Sequence, residues 1–315
     1  MSSLIGVRDL VVEFSSGVRA VRSVSLDLAP GERLALVGES GCGKTTTMLA
    51  MMGLLPAGAT VSGQVLLDGK DILAGGEATM RPHRWSDIAM VFQGAMNALN
   101  PVRRVGAQIV EAVRIHGGSR QDGKLRAREV LDLVGLPKDT SSRYPHELSG
   151  GQRQRAVIAL ALACQPRILL ADEPTTALDV IVQDQIVTLL RQLSDSLGLA
   201  VVLVTHDLAL VPHLCDRAAV MYAGTIVESG PCADIVRRPR HPYTRRLVEA
   251  TPDLAGRRPL TSIPGAPPRL DLPLTGCAFQ PRCAEALESC AGSAPPLTDL
   301  GGGRTRACHL LEVTA

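Results

Sequence analysis

A glycine-rich segment between an apolar run and a helical pattern restricts the fold of this chain more than any other feature. The segment reads Gly-Glu-Ser-Gly-Cys-Gly-Lys-Thr over residues 38–45; it follows the apolar run 34–37 and opens a predicted helix over 44–52. Glycines let the backbone curl so that several N–H groups point inward, and a helix start adds partial positive charge. The pattern therefore predicts a phosphate-binding loop between a buried strand and a helix of an α/β sheet.

Two side chains of this loop have specific predicted roles. Lys44 would neutralise charge on the β- and γ-phosphates of a nucleotide, and Thr45 would offer its hydroxyl to Mg²⁺. The alternative is an ordinary turn from strand to helix, which the flanking strand and helix make less favoured. The residues predicted to contact the nucleotide in this loop are Gly38, Glu39, Ser40, Gly41, Cys42, Gly43, Lys44, Thr45 and Thr46.

Two carboxylates, Asp172 and Glu173, follow a second buried strand predicted over residues 168–171. Ligands of open α/β sheets lie at the carboxyl ends of the strands. Asp172 is therefore predicted to hold Mg²⁺, directly or through water, and Glu173 to polarise the water that attacks the γ-phosphate. The alternative is a strand that runs out into solvent with acidic residues at its tip, which the upstream loop makes less favoured.

Strand and helix patterns alternate along the first 250 residues, as expected of a mainly parallel α/β sheet. The segments 10–14 and 24–28 alternate apolar and polar residues, and we predict them as strands at a sheet edge. Residues 98–165 show a helical pattern and predict a helical subdomain. Further strands are predicted at 34–37, 64–67, 88–92, 168–171 and 200–204, and an amphipathic helix at 182–197.

Composition excludes some partners and locations. Hydrophobic residues make up 45 % of the chain and aromatic residues 2 %, so the core must be built from Ala, Val, Leu and Ile. The net charge of +2 is close to neutral and does not require a positively charged surface, so nucleic acid is not an expected partner. The longest apolar run, residues 156–164, is far shorter than the roughly 20 residues of a membrane helix. Charged residues also lie too close to the N-terminus for the apolar core of a signal peptide. We therefore expect a soluble cytoplasmic protein.

A second glycine motif, Leu-Ser-Gly-Gly-Gln over residues 148–152, precedes an apolar helical pattern. Its serine and glycines would form a second anion-binding helix start, and the alternative is a helix cap with flexible glycines. With this motif in place, the sequence resembles the ABC ATPase family over about residues 4–250. The ordered set that carries the resemblance is the phosphate loop, Gln93, Leu-Ser-Gly-Gly-Gln, Asp172-Glu173, Asp179 and His206.

The resemblance implies an ABC-type fold of the phosphate-loop NTPases, with a RecA-like core, an antiparallel β subdomain and a helical subdomain. It also implies a head-to-tail dimer in which ATP lies between the phosphate loop of one subunit and the signature motif of the other. The residues that would contact the partner's ATP are Ser149, Gly150, Gly151 and Gln152.

Other family positions carry over one at a time. Phe14 matches the aromatic residue that stacks on adenine, with a core strand phenylalanine as the alternative. Gln93 matches the glutamine that senses Mg²⁺ and contacts the membrane subunit, so Mg²⁺ would be held by Thr45, Gln93 and Asp172. Asp179 matches the loop that crosses the dimer. His206 matches the histidine at the γ-phosphate, which adds it to Lys44 and Glu173 as a predicted catalytic residue.

The last part of the chain, residues 251–315, differs in composition and predicts a small extension after an ATPase domain at 1–250. It is proline-rich, and it resembles the C-terminal extension of oligopeptide and dipeptide importer ATPases, whose relatives also serve nickel and glutathione. Its cysteines, Cys277, Cys283, Cys290 and Cys308, have gaps of five, six and seventeen residues. Four thiolates can hold a [4Fe–4S] cluster or a tetrahedral zinc ion. The resemblance favours the cluster; zinc, or free or oxidised thiols, are the alternatives.

Together these features predict the ATP-hydrolysing subunit of an ABC importer for peptides. Nickel or glutathione uptake is the alternative within the same class, and a soluble ABC ATPase outside transport is less favoured. The implied partners are a second ATPase subunit, which the resemblance suggests is a paralogue, two integral membrane permease subunits and an extracytoplasmic solute-binding protein. The expected location is the cytoplasmic face of the cell membrane.

Overall fold

The computed structural model describes residues 3–94, 98–251 and 262–310, and the chain divides into two compact units. The first unit comprises Met1–Ala29, Arg33–Glu77 and Val204–Ala315, and the second comprises Pro30–Glu32 and Ala78–Leu203. Residues 252–261 and 311–315 of the predicted extension lie outside the described residues. The division at residues 250 and 251 therefore stays a prediction.

Strands and helices alternate along most of the chain, as the sequence predicts. In chain order they are β1 (Ile5–Glu13), β2 (Arg19–Leu28), β3 (Arg33–Val37), α1 (Lys44–Met51), β4 (Thr60–Leu67), β5 (Lys70–Asp71), α2 (Glu77–Met80), β6 (Ile88–Val91), α3 (Val105–Ile115), α4 (Arg120–Leu133), α5 (Gly150–Ala161), β7 (Ile168–Asp172), α6 (Val180–Leu197), β8 (Ala200–Thr205), α7 (Val211–Leu214), β9 (Arg217–Tyr222), β10 (Thr225–Pro231), α8 (Cys232–Arg237), α9 (Pro242–Glu249), α10 (Ser289–Gly292), β11 (Thr298–Gly301) and β12 (Arg304–Arg306). Short 3₁₀ helices lie at Arg81–His83, Lys138–Ser142, Pro145–Glu147 and Gln280–Arg282.

The first unit contains an antiparallel sheet with the strand order β2-β1-β4-β5. Along β2, Val24, Leu26 and Leu28 are buried and the residues between them are exposed, because successive side chains of a strand point to opposite faces. β1 pairs with β2 on one side and with β4 on the other. The prediction of an edge strand is therefore right for β2 in this sheet and wrong for β1, since alternation reports one buried face and not the number of neighbouring strands.

The other strands of the first unit follow the order β11-β12-β10-β9-β3. β3 and β9 are parallel, from Leu34↔Arg217 to Val37↔Val220, and β9 and β10 form an antiparallel hairpin. β11 and β12 come from the proline-rich extension and extend this sheet through β10. A buried ion pair fixes their place: Arg304 lies 3.0 Å from the carboxylate of Glu228, which is fully buried in β10.

In the second unit, β6 and β7 pair in parallel, from Ile88↔Ile168 to Val91↔Ala171, and β8 follows β7 in the sheet order. Residues 98–165 contain α3, α4 and α5 and no strand, so the predicted helical secondary structure is confirmed, while the limits of the subdomain stay a prediction. Across the described residues, no helix is both long and apolar enough to cross a membrane.

A buried histidine makes the stability of the first unit depend on pH. His241 precedes α9; its backbone N–H donates to Glu228 at 2.9 Å, and its Nδ1 accepts the N–H of Tyr243 at 3.0 Å. Burial, with the nearby charge of Arg306, lowers the pKa of His241 to about 3. The neutral ring therefore stabilises the fold above the unfolded pKa of about 6.5, and this stabilisation is lost as the pH falls toward 3.

We expect the free energy of unfolding to decrease by up to about 1.4 kcal/mol per pH unit below 6.5 because of His241. Urea unfolding at pH values from 7.5 down to about 4 measures this slope, and His241→Asn is the matched variant because its amide oxygen still accepts the Tyr243 N–H. The variant should show a shallower dependence. Equal slopes for the two proteins would contradict the assignment to His241.

Candidate ATP-binding site

The glycine-rich loop leaves β3 and enters α1 with a curled backbone. Gly38 and Gly43 have φ angles of 153° and 106°, which residues with a side chain rarely adopt. A Cβ on Gly38 would collide with the carbonyl oxygen of Met221, and a Cβ on Gly43 would lie 2.5 Å from that of Ala20. The strand ends around the loop therefore require glycine at both positions, and the predicted loop between β3 and α1 is present.

The side chain of Lys44 folds back into this curl. Its Nζ donates hydrogen bonds to the carbonyl oxygens of Gly38 at 2.7 Å and Glu39 at 3.0 Å, and the residue is only 6 % exposed. Thr45 and Thr46 are half-buried in the first turn of α1. A positive charge is thus held inside a ring of backbone atoms at the start of a helix, which is the arrangement that favours an anion.

The middle of the loop has an exposed part and a buried part. Ser40 and Gly41 are exposed, whereas Cys42 is buried with its Sγ 3.6 Å from Lys44 Nζ. Burial raises the pKa of the Cys42 thiol, although the Lys44 ammonium acts in the opposite direction. The thiol is therefore neutral at ordinary pH, as expected of a packing residue rather than a reactive one.

Phe14 and His206 both lie just beyond the end of a strand. Phe14 follows β1 in a turn where its carbonyl accepts the N–H of Gly17 at 2.8 Å, and its side chain is only partly buried. It is therefore not the core strand phenylalanine of the alternative interpretation. His206 follows β8 and is exposed, and the next residue donates its N–H to Thr205 Oγ1 at 3.0 Å.

In the second unit, the acidic pair stands at the end of β7. Asp172 is the last residue of the strand and is 1 % exposed. Glu173 has a φ of 45°, a strained conformation for a residue with a side chain. Its Oε2 accepts hydrogen bonds from Gln93 Nε2 at 3.0 Å and from Thr176 Oγ1 at 2.9 Å. The structure therefore brings Gln93 and Glu173 together, and Thr176 is a neighbour that the sequence motifs did not indicate.

The signature motif begins α5 with a capping box. Ser149 Oγ accepts the N–H of Gln152 at 3.3 Å, and Gln152 Oε1 accepts the N–H of Ser149 at 3.0 Å. A Cβ on Gly151 would lie 2.8 Å from a methyl group of Val182, so the first turns of α5 and α6 pack closely. Asp179 caps α6 by accepting the Val182 N–H at 3.0 Å. Both predicted helix starts are therefore present and adjacent.

The four cysteines of the extension share one neighbourhood. Burial raises the pKa of Cys277, Cys283 and Cys308, and the other thiols of the set, Cys290 among them, act in the same direction. The backbone of Cys277 also donates to the carbonyl of Cys290 at 2.8 Å. Even so, no three His, Cys, Asp or Glu side chains in the described part of the chain are arranged to hold a metal ion.

Two residues for which the sequence predicts no role in the site also contact the phosphate loop. The Tyr243 hydroxyl accepts the Glu39 N–H at 2.8 Å, and Arg282 binds the Glu39 carboxylate at 2.7 Å. They lie 204 and 243 positions from Glu39 in the sequence, so no local spacing could have identified them.

The predicted site residues are divided between the two units. The first unit holds Phe14, the loop from Gly38 to Thr46, and His206, and the second holds Gln93, Ser149, Gly150, Gly151, Gln152, Asp172, Glu173 and Asp179. Comparison with known protein families finds two matching segments of the sequence. A family described as "ABC transporter" matches residues 21–176, and one described as "Oligopeptide/dipeptide transporter, C-terminal region" matches residues 227–290.

Relatives and solved structures resemble the chain over most of its length. The "Probable peptide ABC transporter ATP-binding protein y4tR" of Sinorhizobium fredii is 47 % identical, covering 97 % of this chain and 94 % of the relative. The "Oligopeptide transport ATP-binding protein OppD" of Escherichia coli is 45 % identical, covering 97 % and 93 %.

Among solved structures, cbiO1 of Clostridium perfringens has a TM-score of 0.66 at 28 % identity and covers 76 % of this chain and 92 % of that one. The ATP-binding cassette MJ0796, a dimer bound to ADP and Pi, has a TM-score of 0.64 at 28 % identity and covers 72 % and 98 %. These likenesses confirm the predicted ABC ATPase fold. The chain belongs to the ABC transporter ATP-binding proteins, in the oligopeptide and dipeptide transporter subfamily.

Proposed function

We propose that this chain binds and hydrolyses MgATP as the nucleotide-binding subunit of an ABC importer for peptides. The observation that carries the proposal is the glycine-rich loop curled around Lys44, in a chain 45–47 % identical to peptide-transport ATP-binding proteins. Backbone N–H groups of the loop and the Lys44 ammonium would bind the β- and γ-phosphates, and Phe14 would stack on the adenine.

The oxygen donors of the site suit magnesium. Thr45 supplies a hydroxyl, Gln93 an amide and Asp172 a carboxylate, and these are the ligand types that a hard divalent cation prefers. Bound there, Mg²⁺ would neutralise charge on the phosphate oxygens. Glu173 would orient and polarise the attacking water, with its carboxylate held by Gln93, and His206 would steady the γ-phosphate.

A second ATPase subunit would complete the site. We infer that Ser149, Gly150, Gly151 and Gln152 contact ATP bound to the partner subunit, and that Asp179 lies at the dimer interface. The first turn of α5 supports this role, because the N–H groups of its first residues, Gly150 and Gly151, have no acceptor within the helix. The dimeric structure of MJ0796 with ADP and Pi is in line with such an arrangement. The resemblance implies that the partner is a paralogue, and co-purification tests this.

The relatives support the choice of cargo, and the remaining partners are those that the resemblance to importer ATPases implies. We infer that the ATPase serves two integral membrane permease subunits at the cytoplasmic face of the membrane, and that a solute-binding protein delivers the peptide. The C-terminal match to the oligopeptide and dipeptide transporter family favours peptides over nickel and glutathione. The same match favours a transporter over an ABC ATPase that acts outside transport.

The prediction of a [4Fe–4S] cluster on Cys277, Cys283, Cys290 and Cys308 is a separate proposal. Its support is a set of four thiols in one neighbourhood, which is the donor set such a cluster requires. The described side chains do not have the arrangement of a metal site, so ligation would require the thiols to move together. Zinc on the same thiols is the alternative.

We expect Glu173→Gln to bind MgATP with nearly unchanged affinity and to hydrolyse it at least about 100-fold more slowly, because the amide cannot take a proton from water. Nucleotide titration and steady-state turnover measure the two effects. Glu129→Gln in α4, which loses only a surface pair with Arg126, is the control and should behave as wild type. Undiminished turnover in Glu173→Gln would show that another residue handles the water.

Uptake by intact cells of the source organism tests the cargo. With Glu173→Gln in place of the wild-type chain, uptake of a labelled tripeptide should fall to background, whereas uptake of nickel and of glutathione should not change. Cells with Glu129→Gln are the matched control. Loss of nickel or glutathione uptake with intact peptide uptake would contradict the assignment to peptides.

Anaerobic purification tests the cluster. We expect about four iron and four sulfide per chain, with visible absorption, and both should be lost in Cys290→Ser. Cys164→Ser removes a half-buried thiol outside the set and is the control. A colourless protein with one zinc per chain would contradict the proposal and support the alternative.

A further inference from the structure

A residue of the C-terminal extension, Arg282, forms an ion pair with Glu39, the second residue of the phosphate loop. Arg282 forms a two-point ion pair with Glu39: Nη1 lies 2.7 Å from Oε2, and Nη2 lies 3.0 Å from Oε1. The Arg282 side chain is 4 % exposed and that of Glu39 is 25 % exposed. A forked, largely buried pair of this kind is stronger and more directional than the exposed ion pairs on the surface of the protein.

The remaining contacts of Arg282 fix its orientation. Its Nε donates to the carbonyl of Pro264 at 2.8 Å, and Nη2 donates to that of Ile263 at 3.3 Å. Nη1 also donates to the Tyr222 hydroxyl at 3.3 Å, and the guanidinium lies 5.8 Å from the centre of the Tyr222 ring and 6.0 Å from that of Phe279. The guanidinium of arginine is always charged in proteins, so these contacts orient a permanent charge.

A second contact reaches the backbone of the same loop residue. The hydroxyl of Tyr243 accepts the N–H of Glu39 at 2.8 Å. The Tyr243 ring is fully buried, 4.6 Å from that of Tyr222 and 5.4 Å from that of Phe279. Since the carbonyl of Glu39 accepts from Lys44, the N–H, the carbonyl and the side chain of this residue all have fixed partners.

We propose that Arg282 is a positioning residue, which promotes the binding of MgATP by holding Glu39. This inference rests on the proposed ATP site. By holding Glu39, Arg282 keeps the loop in the curled conformation in which Lys44 is already placed. A loop that is ordered before the nucleotide arrives loses less conformational entropy on binding, so the nucleotide binds more tightly. The effect is on affinity, because Arg282 holds the loop and not the reacting atoms.

The test is a double-mutant cycle of Arg282→Gln and Glu39→Gln. For each variant we would titrate a fluorescent ATP analogue with Mg²⁺, and measure kcat and KM for MgATP and the unfolding temperature. Each single change should raise KM and the dissociation constant on the order of tenfold with kcat within about twofold, and the double change should add nothing further. Arg282→Lys keeps the charge without the fork and should restore part of the affinity.

Arg269→Gln is the matched control, because this arginine is in the same extension but is 73 % exposed and, among the described residues, forms its ion pair with Asp271 at the surface. It should leave KM unchanged. An unchanged KM in both Arg282→Gln and Glu39→Gln would overturn the proposal, as would a lower unfolding temperature with KM unchanged.

Additive effects in the double variant would likewise show that Arg282 does not act through Glu39. If Arg282→Gln does not fold, Glu39→Gln and Arg282→Lys test the proposal, since each weakens the same pair and leaves a hydrogen-bonding side chain at both positions. A wild-type protein that fails to bind MgATP, even with its transporter partners, would contradict the proposed function itself.

Discussion

The candidate site depends on one constraint, which is the backbone curl that encloses the Lys44 ammonium. Burying a charge is costly unless hydrogen bonds replace its water, and here the carbonyls of Gly38 and Glu39 do so. Those carbonyls can turn inward only because Gly38 and Gly43 adopt backbone angles that other residues rarely reach. An arriving phosphate then meets a charge that has already lost its water, at the start of a helix whose partial charge has the same sign.

The surroundings of the loop explain why the curl is stable. The carbonyls of Met221 in β9 and Ala20 in β2 occupy the places where side chains at Gly38 and Gly43 would lie. The N–H of Gly224 donates to the carbonyl of Cys42 at 3.0 Å, which fastens the loop to the turn between β9 and β10. The loop therefore takes its shape from both sheets of the first unit, so its geometry follows from the packing of the strands as much as from its own sequence.

The parts of the fold that sequence predicts well are those with strong local patterns. The apolar runs of β3, β7 and β8 are buried throughout, apart from Arg33 at the start of β3, and each was predicted as a buried strand. The sequence does not predict β11 and β12, because they contain a single large apolar residue, Leu300, and their pairing depends on a distant buried carboxylate, Glu228.

The same reasoning applies to the candidate site. Motif spacing located the loop, the acidic pair and the signature helix, each of which is continuous in sequence. It did not locate Thr176, which lies three positions from Glu173 but outside the motifs. Nor did it locate Tyr243 and Arg282, which contact the backbone N–H and the carboxylate of Glu39. Contacts between residues that are 200 positions apart are set by tertiary packing, and no local pattern encodes them.

The phosphate loop of the first unit and the acidic pair of the second unit are each held by contacts within their own unit. In each, a residue has an unusual backbone conformation: Gly38 and Gly43 in the loop, and Glu173 with a φ of 45° after β7. In each, side chains from elsewhere in the same unit then hold a loop carboxylate, namely Arg282 on Glu39 and Gln93 on Glu173. Strain such as that at Glu173 persists only where the surrounding contacts fix the geometry, and the hydrogen bonds to Glu39 and Glu173 orient both carboxylates.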